Sequence, residues 1–407
     1  MAANHDSYAS LRIPNFRLLI TGHGTSTVAR EAQIVVVGWQ VYARTGDPLT
    51  LGLIGLAEAL PFIGVALYAG HVADRANRRI VALIGTFVMM LSAIALLVFT
   101  YGSLRAVWPI YLVIFLSGIG RSFTRPAVTA LSAEVVPREI YSNAVAWRSS
   151  TWQFAAIFGP ALGGLLYGFA GPAAAYATVA FFFAASLVSM GFVRHQGRPV
   201  PLQIPVGESL RLGLRFVWNE PVILAAMTLD TFAVLFGGAA ALLPIFARIL
   251  GAGPQGLGML RAAPAAGSLI MGVFLAHRAP FRRSGIALLS AVSAFGACII
   301  AFALSRNFYL SLLILTLSGM ADQVSVVIRG TLVQIMTPDH LLGRVSSVNQ
   351  IFIGSSNEIG AFESGVAARL MGTVPSVMFG GTMTLLVVVA VALWSAPLRR
   401  MREIGVT

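Results

Sequence analysis

The sequence predicts an all-α polytopic membrane protein, with twelve transmembrane helices in two pseudo-symmetric six-helix bundles. Three observations carry this: repeated apolar runs of membrane-spanning length, loops that alternate in arginine content, and a faint internal repeat. The 407 residues are 57% hydrophobic and 11% charged, against about 45–50% and about 25% in a soluble domain. Mean hydropathy is +0.82.

Runs of about 18 or more apolar residues can cross a bilayer as helices. They place spans at 17–43, 49–71, 80–101, 107–132, 142–170, 173–193, 221–249, 255–276, 285–304, 308–336, 344–371 and 375–397. Residues 1–15 are polar and lack the apolar core and cleavage pattern of a signal peptide, so the first run reads as a retained helix. One connection is long and rich in proline and charge, "RHQGRPVPLQIPVGESLRLGLRFVWNE". It divides the chain into an N-terminal six-helix bundle (1–193), a linker (194–220) and a C-terminal bundle (221–407), with a surface helix expected near 207–218.

Assigned to alternate sides, the connecting segments hold seventeen arginines on one side and three (Arg44, Arg105 and Arg306) on the other. That asymmetry puts both termini and the linker in the cytoplasm, facing anionic lipid headgroups. The net charge of +13 is therefore explained by topology, and nucleic-acid binding is not expected. All 28 basic residues are arginine, which reads as composition bias.

The single cysteine, Cys298, rules out an intrachain disulfide and a CxxC metal site. The six histidines are scattered, and HExxH, Walker A and GxSxG patterns are missing. No metal, cofactor or catalytic residue is expected, and the chain reads as a non-enzyme. Without a P-loop, any pumping must draw on an ion gradient.

The halves share an offset of 201. "LSGIG" (116–120) matches "LSGMA" (317–321), and Leu131, Pro137, Gly159 and Gly164 match Leu332, Pro338, Gly360 and Gly365. Two six-helix halves related about the membrane normal are a known transporter design.

Ionisable groups within spans usually face a bundle interior or a wet cavity. In the first span His23, Ser26, Arg30, Gln33 and Gln40 share a helical face. Ser117, Arg121 and Thr124 do so in the fourth, with Arg125 one turn on, and Ser318, Asp322, Ser325 and Arg329 in the tenth. At the offset Arg121 pairs with Asp322, so the repeated stripe changes sign. Arg30, Gln33, Gln40, Arg121, Arg125, Ser325, Arg329 and Glu358 are candidate cavity residues. Glu31, Asp230 and Asp322 are candidate proton carriers, because a desolvated carboxylate takes up a proton more readily. Each can equally be half of an interhelical ion pair, and Asp322 with Arg329 is one such pairing. Glu31 and Asp230 have no evident partner within a turn beyond Arg30. Trp39, Trp147 and Trp152 offer aromatic surface to a solute or anchor span ends.

The turn "GHVADRANRR" (70–79) places four charges between two apolar spans. An anchoring loop needs only arginines; an aspartate among them implies a specific partner, such as the free N–H groups of a helix start. Gly70, Asp74, Arg75, Arg78 and Arg79 resemble the loop motif of the major facilitator superfamily, with Asn77 where the family carries glycine. Asparagine tolerates a left-handed backbone. The resemblance implies that Asp74 engages the start of the eleventh helix, near residues 343–345, and latches the outward-facing state. The counterpart "GVFLAHRAPFRR" (272–283) lacks the aspartate.

"GPALGG", with Gly159, Pro160, Gly163 and Gly164, is similar to the family's antiporter motif, although Ala155 stands where a further glycine is expected. That motif implies packing of helix five on helix eight and export; plain small-residue packing gives the same pattern. "NFRLLITGHGTS" and "GRSFTRPAVTALSAEVVPREIYSNAVA" resemble the subfamily of enterobactin (siderophore) exporters and macrolide efflux proteins. That implies a basic residue on helix four, at Arg121 or Arg125.

The resulting expectation is a monomeric, proton-coupled exporter of small amphipathic solutes such as siderophores. It would sit in the bacterial inner membrane among lipids and work by alternating access. Multidrug or macrolide efflux is the alternative, followed by a lipid flippase or a non-transporting receptor. Sodium stays open as the coupling ion.

Overall fold

In this computed structural model the described residues are 6–102, 106–194, 206–279 and 281–401; the side chains at 66, 67, 70, 71, 73, 74, 206 and 209 lie outside the description. Among the described residues there is no strand. The long helices are α1 (Pro14–Thr45), α2 (Pro48–Arg75), α3 (Arg78–Tyr101), α4 (Trp108–Glu134) and α5 (Tyr141–Gly191). The linker forms α6 (Val206–Asn219). Then come α7 (Pro221–Gly237), α8 (Leu243–Ile249), α9 (Gly253–Ala276), α10 (Ser284–Leu304), α11 (Phe308–Met336), α12 (Asp339–Met371), α13 (Thr373–Trp394) and α14 (Ala396–Arg400).

All twelve predicted spans are present. The seventh is split into α7 and α8 by a short 3-10 turn, Ala239–Leu242. The fifth and sixth are the two limbs of α5, which bends at Gly171, where φ is 82° and ψ 174°. Only glycine adopts that backbone without strain. Gly372, at φ 92° and ψ 157°, forms the same turn between α12 and α13, and 171 and 372 differ by the repeat offset. The duplication read from the sequence is thus also a duplication of backbone conformation.

The chain divides into two compact units: residues 1–40 with 60–203, and residues 41–59 with 204–407. In the first, α3 shows how a span partitions itself. Ile80, Ile84, Phe87, Leu91, Ile94 and Val98 recur every three or four residues on its exposed face. The small residues Ala82, Gly85, Thr86, Ser92 and Ala93 lie on the buried one. Lipid tails are as apolar as leucine, so association rests on close backbone approach, which small residues permit. Gly85 meets Gly120 of α4: a Cβ added at Gly85 would lie 2.5 Å from the Gly120 carbonyl oxygen.

In the second unit Gly319 of α11 sits against Pro264 of α9, and a Cβ there would fall 1.9 Å from the Pro264 carbonyl oxygen. The tip of the α1–α2 hairpin belongs to this unit. Gly52 faces Gly365 of α12, and Asp47 pairs with Arg369 at 3.0 Å. Asp47 also accepts from the Leu49 backbone N–H at 3.0 Å, capping α2 ahead of Pro48.

Eight helical segments are long and apolar enough to cross a membrane, Arg138–Gly191 containing two spans. The long helices α1, α4 and α12 are not among them, and each carries several ionisable residues in its interior. Their lower apolarity reflects polar stripes turned away from lipid, as burial of Gln33, Gln40, Thr124 and Glu358 indicates.

Packing through bare glycine makes a specific prediction. Gly319→Ala is expected to cost about 1–3 kcal/mol by overpacking and to lower the melting temperature in detergent. Gly64→Ala, with nothing within 4 Å of its Cβ position, is expected to leave it unchanged or higher. Equal melting of the two variants would contradict this account of α9–α11 packing.

Candidate functional site

In the first unit the polar face of α1 meets α4 and α5. Arg30 and Glu31 form an ion pair at 2.6 Å. The charges of Arg125 and Arg148 act on His23, and those of Arg121, Arg30 and Arg148 act on Arg125. Four guanidinium groups and an imidazole, drawn from three helices, therefore share one region with Glu31. Arg148 donates to Ser132 at 3.1 Å, and Arg121 lies over the Phe62 ring at 5.9 Å. Gln33 is buried, and its Oε1 has no hydrogen-bond partner among the described residues. Gln40 is used differently: its Oε1 accepts from the Tyr176 hydroxyl at 2.6 Å and its Nε2 donates to Thr100 at 3.2 Å. That buried amide ties α1 to α3 and α5. Tyr176 and Thr100 carried no sequence signal, because a lone hydroxyl in an apolar run reads like any other.

Gly159 and Gly163 set the depth of this region. A Cβ at Gly159 would lie 2.7 Å from the Cβ of Glu31, and one at Gly163 would lie 2.7 Å from the Ala32 carbonyl oxygen. The family motif suggested helix eight as the partner of this stripe; the atoms that meet these two glycines belong to α1. Pro160 and Gly164 are buried beside them. The motif thus seats α5 on the turn of α1 that carries Arg30 and Glu31. At the repeat offset, Gly360 of α12 seats in the same way on Val234 and Leu235 of α7.

The 70–79 turn joins helix ends of the first unit. Arg78 pairs with Glu134 in the last turn of α4, and Arg79 donates to the Gly191 carbonyl at the end of α5. Cations are favoured at helix C-termini, where carbonyls lack partners. Glu134 was missed in the sequence, since it sits at a span end where a solvated acid is ordinary. Asn77 does not adopt the left-handed backbone that its replacement of glycine suggested. Its φ is −63°, and its side chain accepts from the Arg79 and Ile80 backbone N–H groups as the N-cap of α3. A side-chain acceptor at the helix start is what glycine could not supply. Arg75 is exposed. The contacts of Gly70 and of the Asp74 side chain lie outside the described residues, and the expected latch with them.

The second unit holds the acidic counterpart. Asp230 of α7 pairs with Arg329 of α11, and Arg329 Nε donates to Ser325 at 3.1 Å. Asp230, Ser325 and Arg329 are all buried. The charges of both Arg329 and Asp230 act on Asp322. Arg329 forms its ion pair across to Asp230 on α7 while its charge still acts on Asp322, so one guanidinium serves both carboxylates. Asp230, which had no evident partner in sequence, is the group it meets. Glu358 is buried on α12. Trp147, a candidate aromatic surface, donates its indole N–H to the Ser7 carbonyl at 3.0 Å and holds the N-terminal segment; Trp152 is exposed. Among the described residues no cluster of three or more His, Cys, Asp or Glu side chains could hold a metal ion.

A family model described as transmembrane secretion effector matches residues 5–406. The enterobactin exporter EntS of Shigella flexneri is 27% identical over 392 residues, covering 96% of this chain and 94% of that protein. EntS of Escherichia coli O1:K1 / APEC is 27% identical over 393 residues with the same coverage. Among solved structures, a bacterial homolog of the human lysosomal transporter Spinster, inward-facing and occupied, aligns with a TM-score of 0.74 at 13% identity, covering 97% of this chain and 99% of that one. A POT family transporter in complex with 5-aminolevulinic acid aligns with a TM-score of 0.72 at 12% identity, covering 94% and 96%.

Among the described residues, Arg329 is the cation that acts on both Asp230 and Asp322. Arg329→Met is expected to cost about 3–5 kcal/mol, because it leaves buried carboxylate charge uncompensated, whereas Asp230→Leu, which leaves Arg329 with Asp322, is expected to cost less. Thermal unfolding in detergent measures both. An Asp230→Leu variant no more stable than Arg329→Met would show that Asp322 does not share the guanidinium.

Proposed function

Since the chain belongs to the transmembrane secretion effector family, a group of major facilitator transporters, we propose that it is a proton-coupled exporter of small acidic solutes of the catecholate siderophore class. The family places it among multi-pass membrane transporters, and the solute, the coupling ion and the cytoplasmic placement of both termini are our reading. One observation carries that reading: the guanidinium groups of Arg30, Arg121, Arg125 and Arg148 converge from α1, α4 and α5. A cationic lining within a low-dielectric bundle attracts a solute that brings negative charge. The named activity of the EntS relatives, enterobactin export, points the same way.

Transport proceeds by alternating access, with protons carried on Glu31 in the first unit and on Asp230 and Asp322 in the second. In the second unit two carboxylates share one guanidinium, so one negative charge is left over. Within a membrane a proton is the simplest way to neutralise it. The same acidic group supports a second reading, efflux of cationic drugs or macrolides, in which Asp230 and Asp322 attract the solute itself.

The test uses proteoliposomes loaded with a pH-sensitive dye under an imposed proton gradient. A catecholate siderophore is expected to evoke proton flux and a macrolide is not; the reverse pattern would establish the second reading, and no flux with either would remove proton-coupled export of both classes. Glu31→Gln is expected to retain solute exchange without a gradient while losing gradient-driven accumulation at least about tenfold. Accumulation at the unmodified level would exclude Glu31 as a carrier. Asp74→Asn is expected to slow cycling in a protein that still melts normally; unchanged transport rates would refute the latch.

A further inference from the structure

The linker helix α6 is amphipathic, with both sides accounted for differently. One side packs on the start of α12. Gly213 is buried, with its Cβ position 2.9 Å from the Arg344 carbonyl oxygen, and Leu210 and Val217 join Val345 and Val348 in an apolar cluster. The other side carries Arg211, Leu214, Arg215 and Trp218, at spacings of three, one and three residues, so they share a helical face. All four are exposed, Trp218 at 76% and Leu214 at 46%. Glu208, in the first turn, is exposed near this face and complements the helix N-terminus.

Two arginines flanking a leucine and a tryptophan suit neither bulk water nor the hydrocarbon core. They suit the interface, where the apolar side chains reach the acyl boundary and the cations meet phosphates. The position fits. Alpha-6 runs through Asn219 and Glu220 directly into α7, so it lies at the end of a span. Alternation of the helices brings the turn between α9 and α10 and the end of α13 to the same end of the unit. There Arg282 and Arg283 are exposed, as are Arg399 and Arg400 of α14, and α14 packs against α10 through Leu398 and Gly285. This end of the second unit is thus broadly cationic, and on α6 the arginine pair and the large exposed apolar side chains share one face of a single helix.

We propose that the exposed face of α6 is a binding site for anionic phospholipid, with Arg211 and Arg215 holding the headgroup phosphate and Leu214 and Trp218 lying at the acyl boundary. The occupant is a bilayer lipid; a free phosphate would leave the two apolar side chains in water.

The experiment titrates purified full-length protein in nonionic detergent with phosphatidylglycerol, phosphatidylcholine or sodium phosphate, and counts retained lipid by native mass spectrometry. Wild type is expected to retain phosphatidylglycerol over phosphatidylcholine. Arg211→Gln with Arg215→Gln is expected to weaken that retention about 30-fold, about 2 kcal/mol at about 1 kcal/mol per arginine near an anionic surface. Arg282→Gln with Arg283→Gln serves as a control for general cationic charge and is expected to lose less than about threefold. Unchanged retention by the α6 variant, an equal loss in the control, or competition by sodium phosphate at matched concentration would each overturn the proposal. Melting curves of both variants, whose altered side chains are exposed, check that the fold is kept.

Discussion

A bilayer core cannot hydrogen-bond to the chain that crosses it, and it solvates charge poorly. Every backbone N–H and C=O in a span must therefore be satisfied within its own helix, and every charge must find a companion inside the bundle. Both consequences are visible here. The described spans are helical, the seventh interrupted at Gly238 and a short 3-10 turn, serine and threonine hydroxyls return to carbonyls one turn back, as Thr86 does to Ala82 at 2.8 Å, and the large exposed apolar residues of α3 face outward. Arginine and carboxylate meet across helices, as Arg78 meets Glu134 and Arg329 meets Asp230.

Once burial of apolar surface no longer favours one helix face over the lipid, contact depends on how closely backbones approach. This gives glycine its structural weight in the chain. Gly159 of α5, seated against α1, and Gly360 of α12, seated against α7, are equivalent seats in the two units, and Gly171 and Gly372 are equivalent turns. The duplicated framework is held by residues without side chains. The polar stripes carry opposite charge in the two halves, with Arg121 in one where Asp322 stands in the other. One architecture thus presents a cationic interior in its first unit and an acidic one in its second.

The charged turn between α2 and α3 has a local explanation in the same terms. Helices that end at a membrane surface leave carbonyls at their C-termini, and Arg79 satisfies one on α5 while Arg78 neutralises the last turn of α4. Asn77 starts α3 by capping it. Arg78, Arg79 and Asn77 are thereby explained as a clasp over helix ends of one unit, which holds whatever role Asp74 plays.

Much of the fold was legible in the sequence. Span lengths, the linker helix and the offset of 201 follow from hydropathy and repetition, because a membrane imposes a fixed thickness and a duplicated gene keeps its spacing. The polar stripes were legible too, since helical periodicity places His23, Arg30 and Gln33 on one face regardless of what they meet. Partnership was not. Asp322 and Arg329 lie two turns apart on one helix and read as a pair, yet the guanidinium crosses to Asp230 on α7. Gln40 shares the stripe but is taken up by Tyr176 and Thr100, and the glycines of "GPALGG" meet α1. Periodicity within a helix specifies which residues point the same way. Which helix lies opposite, and at what depth, is decided only when the backbones have packed, because a contact between residues 99 positions apart depends on the rotation and height of two separate helices and not on any spacing along one.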